Sequence, residues 1–500
     1  MSAPQATPKL ATAPASPLTA RIAAEFAGAG HGPDEPQRQR ALAALTEVGL
    51  PTSRDENWKY VNLRPLDKVH FVPPSAEVRP VIKPADLPTA VGKSRYVFVD
   101  GVFDAALSSP SAQGGVTVTT GAADGGAVVA SGAGNGGAPA VGGVAAAHKG
   151  ALAGDLRFAL LNEAFATDGA QIHVARGTEC KICVELVFVA TTEAKAGASY
   201  PRVSFKVDAN ARVGLIERHV SIGSDANFIN CAVDVEVARD ASVQHYRVQQ
   251  TGARAMWFDT LTAKLAENAK YQVHMVNLGA LSARSTVNVQ LLGERSEVGV
   301  FGASVGGKNQ VHDTFALVDH IAPNARTDQS FRGIAGGRAR VAFNGKVVVR
   351  KGAHGTDSSQ SLRGLLAGTD AEIDVRPQLE IYTDDVKCNH GATAGKLDDN
   401  MLFYLLSRGL DRETALRLLK WAFLEDVVSK IEVPELRRQI EESLAGQLNE
   451  SAALAASQDP LAAAPVGATM GASHTTHGQA GNGSPRIDDE QATPAQTEKR

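Results

Sequence analysis

The chain has 500 residues, of which 43% are hydrophobic, and its formal net charge is only −4. This length and hydrophobic content suffice for a large buried core or for several domains. The weak net charge, without a basic stripe, argues against a nucleic-acid-binding protein. Four cysteines are too few for a disulfide framework, which indicates a protein of the reducing cytoplasm.

The two ends of the chain have compositions typical of disorder. Residues 1–17 are rich in Ala, Pro, Ser and Thr, and residues 447–500 in Ala, Gly, Ser, Thr and Gln. The N-terminal residues lack the basic segment and apolar core of a secretory signal. Since no run of about 18 apolar residues occurs, we expect no membrane-spanning helix.

Residues 18–168 predict an N-terminal helical domain. Two helical patterns lie in residues 18–47, and the second ends at Gly49, a residue type that commonly terminates helices. A further amphipathic pattern covers residues 152–167 and predicts a third helix.

A short hairpin and a flexible insertion are predicted within this N-terminal domain. Two β-type runs in residues 95–104 flank the dipeptide Asp100–Gly101, which is typical of a two-residue hairpin turn. Residues 109–150 are so rich in Gly and Ala that few of their side chains can pack. We expect this segment to be a flexible insertion.

Residues 169–395 predict a β-helix. Short strand-like runs follow one another without a helix-length pattern, and a small residue precedes a strand at nearly equal intervals. The small residues are Ala211, Ala241, Ala269, Ser296 and Ala325, with Ala353 and Ala371 continuing the series less regularly. A repeat length between roughly 20 and 50 residues is typical of repeat architectures. All-strand repeats favour a β-helix with a small residue at each tight corner, and a β-sandwich with evenly spaced turns is the alternative.

Residues 396–446 predict a C-terminal helical domain. Asp398 or Asp399 can cap a first helix that stops at Gly409, because a carboxylate accepts hydrogen bonds from free N–H groups at a helix start. Asp411 can cap the next helix in the same way.

The stretch EIYTDDVKCNHGAT, residues 380–393, places Cys388 two positions before His390. If it is a strand, Asp384, Cys388 and His390 share one face, and the thiol and imidazole lie roughly 6.6 Å apart along the strand. Thiolate and imidazole are ligands of zinc and of iron–sulfur clusters. A closed site usually needs four ligands, so we expect a second chain to complete this one. The alternative is a buried thiol beside a hydrogen-bonded histidine.

Two other groups of ligand-type residues are interpreted as structural. Cys180 and Cys183 form a CxxC pair, but positions i and i+3 of a regular strand face opposite ways, and no second CxxC occurs. His312 and His320 share a face if they lie on one strand, and satisfied polar residues are a simpler interpretation than a metal pair. No phosphate-binding loop, GxSxG or HExxH motif occurs, so we expect no nucleotide site in this chain.

Several stretches resemble the SufB/SufD family of iron–sulfur cluster assembly subunits. They are QSFRGIAGGRARVAFNGKVVV, PQLEIYTDDVKCNHGATAGKLDDNMLFYLLSRGL and AFLEDVV, and DENWKYVNL fits the N-terminal region of the family. The resemblance runs from about residue 155 to 445. The DDVKCNHGAT stretch favours the SufD branch, because the paralogue SufB typically lacks this cysteine–histidine pairing.

This resemblance implies a right-handed parallel β-helix flanked by helical domains, in a cytoplasmic, non-catalytic scaffold that binds neither nucleic acid nor membrane. It implies pairing with SufB through the β-helix end, and docking of SufC, an ABC-type ATPase that hydrolyses ATP, on the C-terminal helices. His390 matches a histidine implicated at the SufB–SufD interface, where a transient iron–sulfur cluster forms, and Cys388 matches a nearby family cysteine.

Two alternatives remain open from the sequence. One is a SufB-like paralogue of the same complex. The other is a β-helix carbohydrate-active enzyme that uses Asp384 and Asp385, although adjacent strand positions face opposite ways and suit acid–base pairing poorly.

Overall fold

The computed structural model describes most of the chain between its two ends. The described residues are 18–24 and 35–66 with short gaps, 81–121, 128–131, 155–191 apart from 167, 197–223 and 226–456. The predicted disordered segment 1–17, most of the predicted insertion and residues 457–500 lie outside them.

The N-terminal part combines helices with short strands. In chain order its elements are α1 (Glu35–Val48), β1 (Arg95–Val99), β2 (Val102–Ser109), β3 (Val116–Thr120), β4 (Val128–Ser131) and α2 (Arg157–Phe165). β1 and β2 form the predicted antiparallel hairpin, with positive φ angles of 48° at Asp100 and 86° at Gly101. These left-handed conformations match the twist of the flanking strands. β3 and β4 pair antiparallel inside the range predicted as an insertion.

The central part consists of strands that alternate between two long sheets. They are β5 (Gly169–Val174), β6 (Glu179–Thr191), β7 (Ala198–Ser199), β8 (Arg202–Val207), β9 (Arg212–Ile222), β10 (Phe228–Val237), β11 (Ser242–Gln250), β12 (Met256–Leu265), β13 (Lys270–Asn277), β14 (Ser282–Leu291), β15 (Glu297–Gly306), β16 (Val311–His320), β17 (Arg326–Ala335), β18 (Arg340–Val349), β19 (Thr356–Leu366), β20 (Glu372–Ile381) and β21 (Val386–Gly395).

Each of these strands from β8 onward pairs in parallel with the strand two positions later in the chain. One sheet runs β2-β1-β6-β9-β11-β13-β15-β17-β19-β21, and the other runs β20-β18-β16-β14-β12-β10-β8-β5-β3-β4. Each coil therefore adds one strand to each sheet, which confirms the predicted parallel β-helix. A β-sandwich is excluded, because its sheets are built mainly from antiparallel pairs.

The corners of the coil explain the periodic small residues. Asn210, Asp240, Asn268, Arg295 and Asn324 have φ angles between 54° and 62°. Each is followed by one of the predicted small residues, and Ala211, Ala241, Ala269, Ser296 and Ala325 are all 0% exposed. A left-handed residue turns the chain sharply, and the next side chain then points into a corner with little space. The corner prediction is confirmed.

The space between the two sheets holds a continuous hydrophobic core. Alternate residues of each strand point inward, and most of them are Val, Leu, Ile or Phe. Fully burying one such side chain contributes about 1.5–3 kcal/mol. In-register pairing stacks equivalent side chains from coil to coil, so inward positions form columns that run along the solenoid.

Three helices follow the last strand. They are α3 (Asp399–Ser407), α4 (Arg412–Val428) and α5 (Pro434–Ala456). The predicted caps are confirmed, because Asp398 accepts a hydrogen bond from the Asn400 N–H at 2.8 Å and Asp411 accepts one from the Thr414 N–H at 2.9 Å. Helices α4 and α5 pack their apolar faces on the outer surface of the β21-containing sheet. None of the helices among the described residues is long and apolar enough to cross a membrane.

The DENWKYVNL stretch anchors the N-terminal helices to the outside of the solenoid. Trp58 is 1% exposed, and its ring centroid lies 5.1 Å from that of Phe158 and 6.5 Å from that of Phe258. The Arg284 guanidinium lies 4.4 Å from the Trp58 ring and also pairs with Asp313. This cation–π contact joins the segment to β14.

Candidate functional site

The last two strands form free edges at the same end of the solenoid. Among the described residues, β20 is hydrogen-bonded along its length only to β18, and β21 only to β19. The opposite edge of each strand therefore presents a row of backbone N–H and C=O groups without a strand partner. Such edges are templates for pairing with another chain.

Strand β21 carries both predicted ligand residues. In its parallel register Cys388 pairs with Ser358, and His390 pairs with Gln360. Cys388 is half-buried against the hydrophobic core, whereas His390 is exposed. The structure thus brings the two side chains to one strand at the open end of the coil.

The Cys388 thiol is held in its protonated form. Burial raises the pKa of this thiol, and the neighbouring Asp357 carboxylate raises it further. A metal that binds here must therefore displace a proton, because the thiolate is the form that ligates. At neutral pH such a thiol is less reactive than an ordinary exposed cysteine.

The expectation that Asp384 shares the face of Cys388 and His390 was wrong. Strand β21 begins at Val386, and Asp384 and Asp385 lie in the bend that joins it to β20. The Asp385 carbonyl accepts a hydrogen bond from the Gly355 N–H at 2.8 Å, which fixes the bend to the preceding coil. The alternation rule does not extend through such a bend.

Two buried polar residues of β19, Ser358 and Gln360, lie one coil below Cys388 and His390, and the sequence did not predict them. Gln360 is 1% exposed, and its Nε2 donates to Gln329 Oε1 and to the Gly345 carbonyl, each at 2.9 Å. Its Oε1 has no partner among the described residues, and neither has the Oγ of Ser358, which is 0% exposed. The repeat length could have identified them, because Ser358 and Gln360 lie 30 residues, or one coil, before Cys388 and His390.

The two residues of the CxxC pair face the same side, contrary to the sequence expectation. In β6 the three residues 181–183 lie opposite the single residue Gly214, so a bulge shifts the register. Cys183 is buried in the core and Cys180 packs against the same core. A Cβ at Gly214 would lie 2.0 Å from the Lys181 carbonyl oxygen, so the bulge requires glycine there.

Each thiol of this pair has its own hydrogen-bond acceptor. Cys180 donates to Gln113 Oε1 at 2.8 Å, and Cys183 donates to the Gly214 carbonyl at 3.1 Å. Burial raises the pKa of both thiols. These contacts agree with a structural role.

His312 and His320 lie on one strand but do not form a site together. They occupy opposite ends of β16, roughly 26 Å apart at about 3.3 Å per residue. His312 Nδ1 lies 2.9 Å from Ser304 Oγ, and His320 Nε2 lies 2.7 Å from Thr327 Oγ1. The interpretation as satisfied polar residues is confirmed for His320, whereas Nε2 of the buried His312 has no hydrogen-bond partner among the described residues.

Four exposed apolar side chains lie on the first two C-terminal helices. Met401, Phe403 and Tyr404 of α3 are 58%, 72% and 55% exposed, and Leu418 of α4 is 44% exposed. Single exposed apolar residues are common, but a group on adjoining helices is typical of a protein-binding surface. We call these four residues the helix patch.

Comparison with known proteins identifies the family. Residues 188–423 match the family model described as SUF system FeS cluster assembly, SufBD core domain. The iron–sulfur cluster assembly protein SufD of Escherichia coli K12 is 31% identical over 409 residues, which cover 81% of this chain and 91% of that protein. The chain belongs to the SufB/SufD family.

Other SufB/SufD family members are similar over comparable or shorter ranges. An iron–sulfur cluster assembly SufBD family protein of Synechocystis is 28% identical over 427 residues, covering 81% of this chain and 89% of that protein. The chloroplastic protein ABCI7 of Arabidopsis thaliana is 29% identical over 254 residues, covering 50% and 53% of the two chains. The match to SufD spans nearly the whole of that relative and supports the SufD type within the family.

Proposed function

We propose that this chain is a cytoplasmic, non-catalytic scaffold that pairs with a SufB-type partner through β20 and β21. An iron–sulfur cluster, the cargo of the complex, then forms where His390 and Cys388 meet ligands from that partner. The observation that carries the proposal is the position of both ligand-type residues on the strand with a free edge. SufB/SufD family membership supplies the iron–sulfur chemistry.

The ligand set supports a shared site because this chain offers only part of it. Iron–sulfur clusters usually need four protein ligands. Strand β21 contributes Cys388, which is half-buried and protonated, and His390, which is exposed. If a partner strand pairs with β21, the side chains of that strand lie next to Cys388 and His390 in the same stacked columns. An incomplete set on each chain also permits release of the finished cluster.

A charge ladder on the outer face indicates what the partner strand carries. Lys270 pairs with Glu297 at 3.1 Å, and Arg326 pairs with Asp357 at 2.9 Å. These residues are in-register neighbours from β13 to β19, and Lys387 follows on β21. The alternating ladder ends on a positive charge at the free edge. We infer that the partner strand presents an acidic side chain beside Lys387.

The helix patch is the surface that we assign to the ATPase partner, SufC. Its members on α3 and α4 are 44–72% exposed and are therefore accessible to a partner. The chain contains no phosphate-binding loop. We therefore assign ATP hydrolysis to SufC. The C-terminal helices that bind SufC would transmit the resulting rearrangement to the scaffold.

A histidine substitution with a matched neighbour tests the site. His390→Ala removes the exposed imidazole, and Asn389→Ala changes the adjacent, also exposed residue on the opposite face of β21. With purified SufB-type and SufC-type partners, we expect both variants to assemble the complex. Only His390→Ala should lose most iron–sulfur cluster formation, measured by iron content and visible absorption. Equal cluster formation by the two variants would refute the site.

A further inference from the structure

A charged cluster lies inside the solenoid, in the coils that contain β9 to β13. Its members face one another between the two sheets, and each is at most 3% exposed. They are Glu217, His219, Cys231, His245, Arg247, Asp259 and Tyr271. The function proposed above uses none of them. The coil column from His245 to His390 has five steps of about 4.8 Å, so the two sites are roughly 24 Å apart.

Three potential ligand atoms of this cluster lie close together. His219 Nε2 lies 2.6 Å from Glu217 Oε1, and Cys231 Sγ lies 3.7 Å from the same oxygen. The three donor atoms all lie within 4.8 Å of one another. A carboxylate, an imidazole and a thiolate at these separations form a ligand set suited to a borderline-soft dication such as zinc.

Outer contacts hold the three side chains in place. The His219 ring stacks on Phe188 with a centroid distance of 5.0 Å and meets the edge of Trp257 at 5.3 Å. Arg247 donates to Glu217 Oε1 at 2.7 Å and to Oε2 at 3.2 Å. Each carboxylate oxygen has two lone pairs, so Oε1 can keep the arginine and exchange the His219 contact for a metal. Such outer partners orient metal ligands in known sites.

The charges of the cluster favour a bound dication. Glu217 and Asp259 share the single guanidinium of Arg247, so these three groups together carry a net charge of −1. A dication bound by the Cys231 thiolate brings the sum to zero. Buried charges that are balanced in this way avoid a large desolvation penalty.

We propose that Glu217, His219 and Cys231 bind one zinc ion inside the β-helix. Binding releases the thiol proton of Cys231, and His219 coordinates through Nε2 while its proton resides on Nδ1. His245 lies 3.2 Å from Glu217 Oε2 and 2.9 Å from the Tyr271 hydroxyl, so it serves as an outer partner that orients the carboxylate. The ion ties β9 to β10, which belong to different sheets.

Cobalt(II) substitution tests the site directly in the full chain. The background carries Cys180→Ser and Cys388→Ser, so that Cys183 and Cys231 are the remaining thiols. The protein is refolded with Co²⁺ as the probe, and the excess is removed by gel filtration. We expect one cobalt per chain and a thiolate-to-cobalt charge-transfer band. Unmodified chain expressed in zinc-supplemented medium should likewise retain one zinc per chain.

A second buried cysteine provides the matched control. Cys231 and Cys183 are both 0% exposed, but only Cys231 faces the charged cluster. Cys231→Ser should abolish the charge-transfer band and weaken metal binding by more than ~100-fold, since loss of an outer partner alone costs about 10- to 100-fold. Cys183→Ser should keep both.

Three results would overturn the zinc site. They are a folded, unmodified chain without stoichiometric zinc, a band that survives Cys231→Ser, or a band that disappears with Cys183→Ser alone. The zinc content of the unmodified chain decides the question even if a variant fails to fold. None of these readouts depends on His390 or on iron–sulfur cluster formation, so the two proposals stand or fall separately.

Discussion

Gln360 lies directly beneath His390 in the parallel ladder, and its buried carbonyl oxygen has no partner among the described residues. Its amide nitrogen already donates to Gln329 and to the Gly345 carbonyl, which fixes the orientation of the group. The free oxygen can accept a hydrogen bond from an N–H group of the His390 imidazole. The other nitrogen is then available to a metal, the arrangement that outer-shell partners commonly impose.

The first prediction concerns this pair. Gln360→Met keeps the side-chain volume but removes the acceptor, so His390 loses its orientation while remaining in the chain. We expect cluster formation in the reconstituted complex to fall about 10-fold. The measurement is the initial rate of iron–sulfur absorption. Gln244→Met, on an outward-facing glutamine of β11, should leave the rate unchanged; equal rates for both variants would contradict the assigned orientation.

The second prediction concerns the end of the charge ladder. Lys387→Glu places a negative charge beside the acidic residue inferred on the partner strand. Because cross-strand charge pairs contribute about 0.2–1 kcal/mol, Kd for the SufB-type partner should rise about 1.4- to 5-fold at low salt. High salt should reduce the difference, because it screens exposed charges. Lys264→Glu, an exposed position of β12, is the control; a similar loss with both variants would indicate a net-charge effect only.

The third prediction concerns the helix patch. Phe403→Ser removes the most exposed aromatic side chain of α3, so binding of the SufC-type ATPase should weaken at least ~10-fold, as expected for an aromatic anchor. The free energy of unfolding should change by less than about 0.5 kcal/mol, because the residue is on the surface. Leu292→Ser, at a 48% exposed residue between two coils, serves as the control. Unchanged ATPase binding by Phe403→Ser would remove the patch from the interface.

The fourth prediction concerns the coil corners. Ala269 is 0% exposed and follows Asn268, whose φ is 54°. Ala269→Leu forces extra atoms into a filled corner and should lower the free energy of unfolding by about 1–3 kcal/mol. Ala266→Leu, at a half-buried position of the same turn, should cost less. Urea denaturation measures both changes, and equal values would show that the corner has spare space.

The fifth prediction concerns acid stability. Burial lowers the pKa of His312 and of His320 to about 4, from an ordinary value near 6.5. Their neutral forms stabilise the fold above the unfolded pKa, and this contribution is lost as the pH falls from 6.5 through 4. Because the unfolded chain binds protons at these histidines first, each histidine should lower the free energy of unfolding by about 2 kcal/mol between pH 7 and pH 5. His312→Gln should flatten this dependence; a slope identical to that of the unmodified chain would show that His312 is not the titrating group.

The regular features of this fold could be predicted because they repeat. A left-handed corner residue followed by a small residue, as at Asn268 and Ala269, recurs once per coil and leaves a visible period. The helix caps at Asp398 and Asp411 were predictable for a similar reason, since capping depends on a few neighbouring residues.

Irregular and long-range features could not be predicted from local spacing. The bulge that brings Cys180 and Cys183 to one side depends on the close approach of Gly214 from the next coil. Glu217 and His219 are two positions apart on one strand, a pattern that local reading can detect. Their third partner, Cys231, comes from the opposite sheet, so only the fold shows the cluster.

The most direct test of the central claim is a structure of this chain bound to its SufB-type partner. The account predicts that the free edge of β21 is hydrogen-bonded to a partner strand and that the His390 imidazole faces ligand-type side chains of that partner. A complex in which β21 remains unpaired, with His390 turned away from the partner, would contradict it.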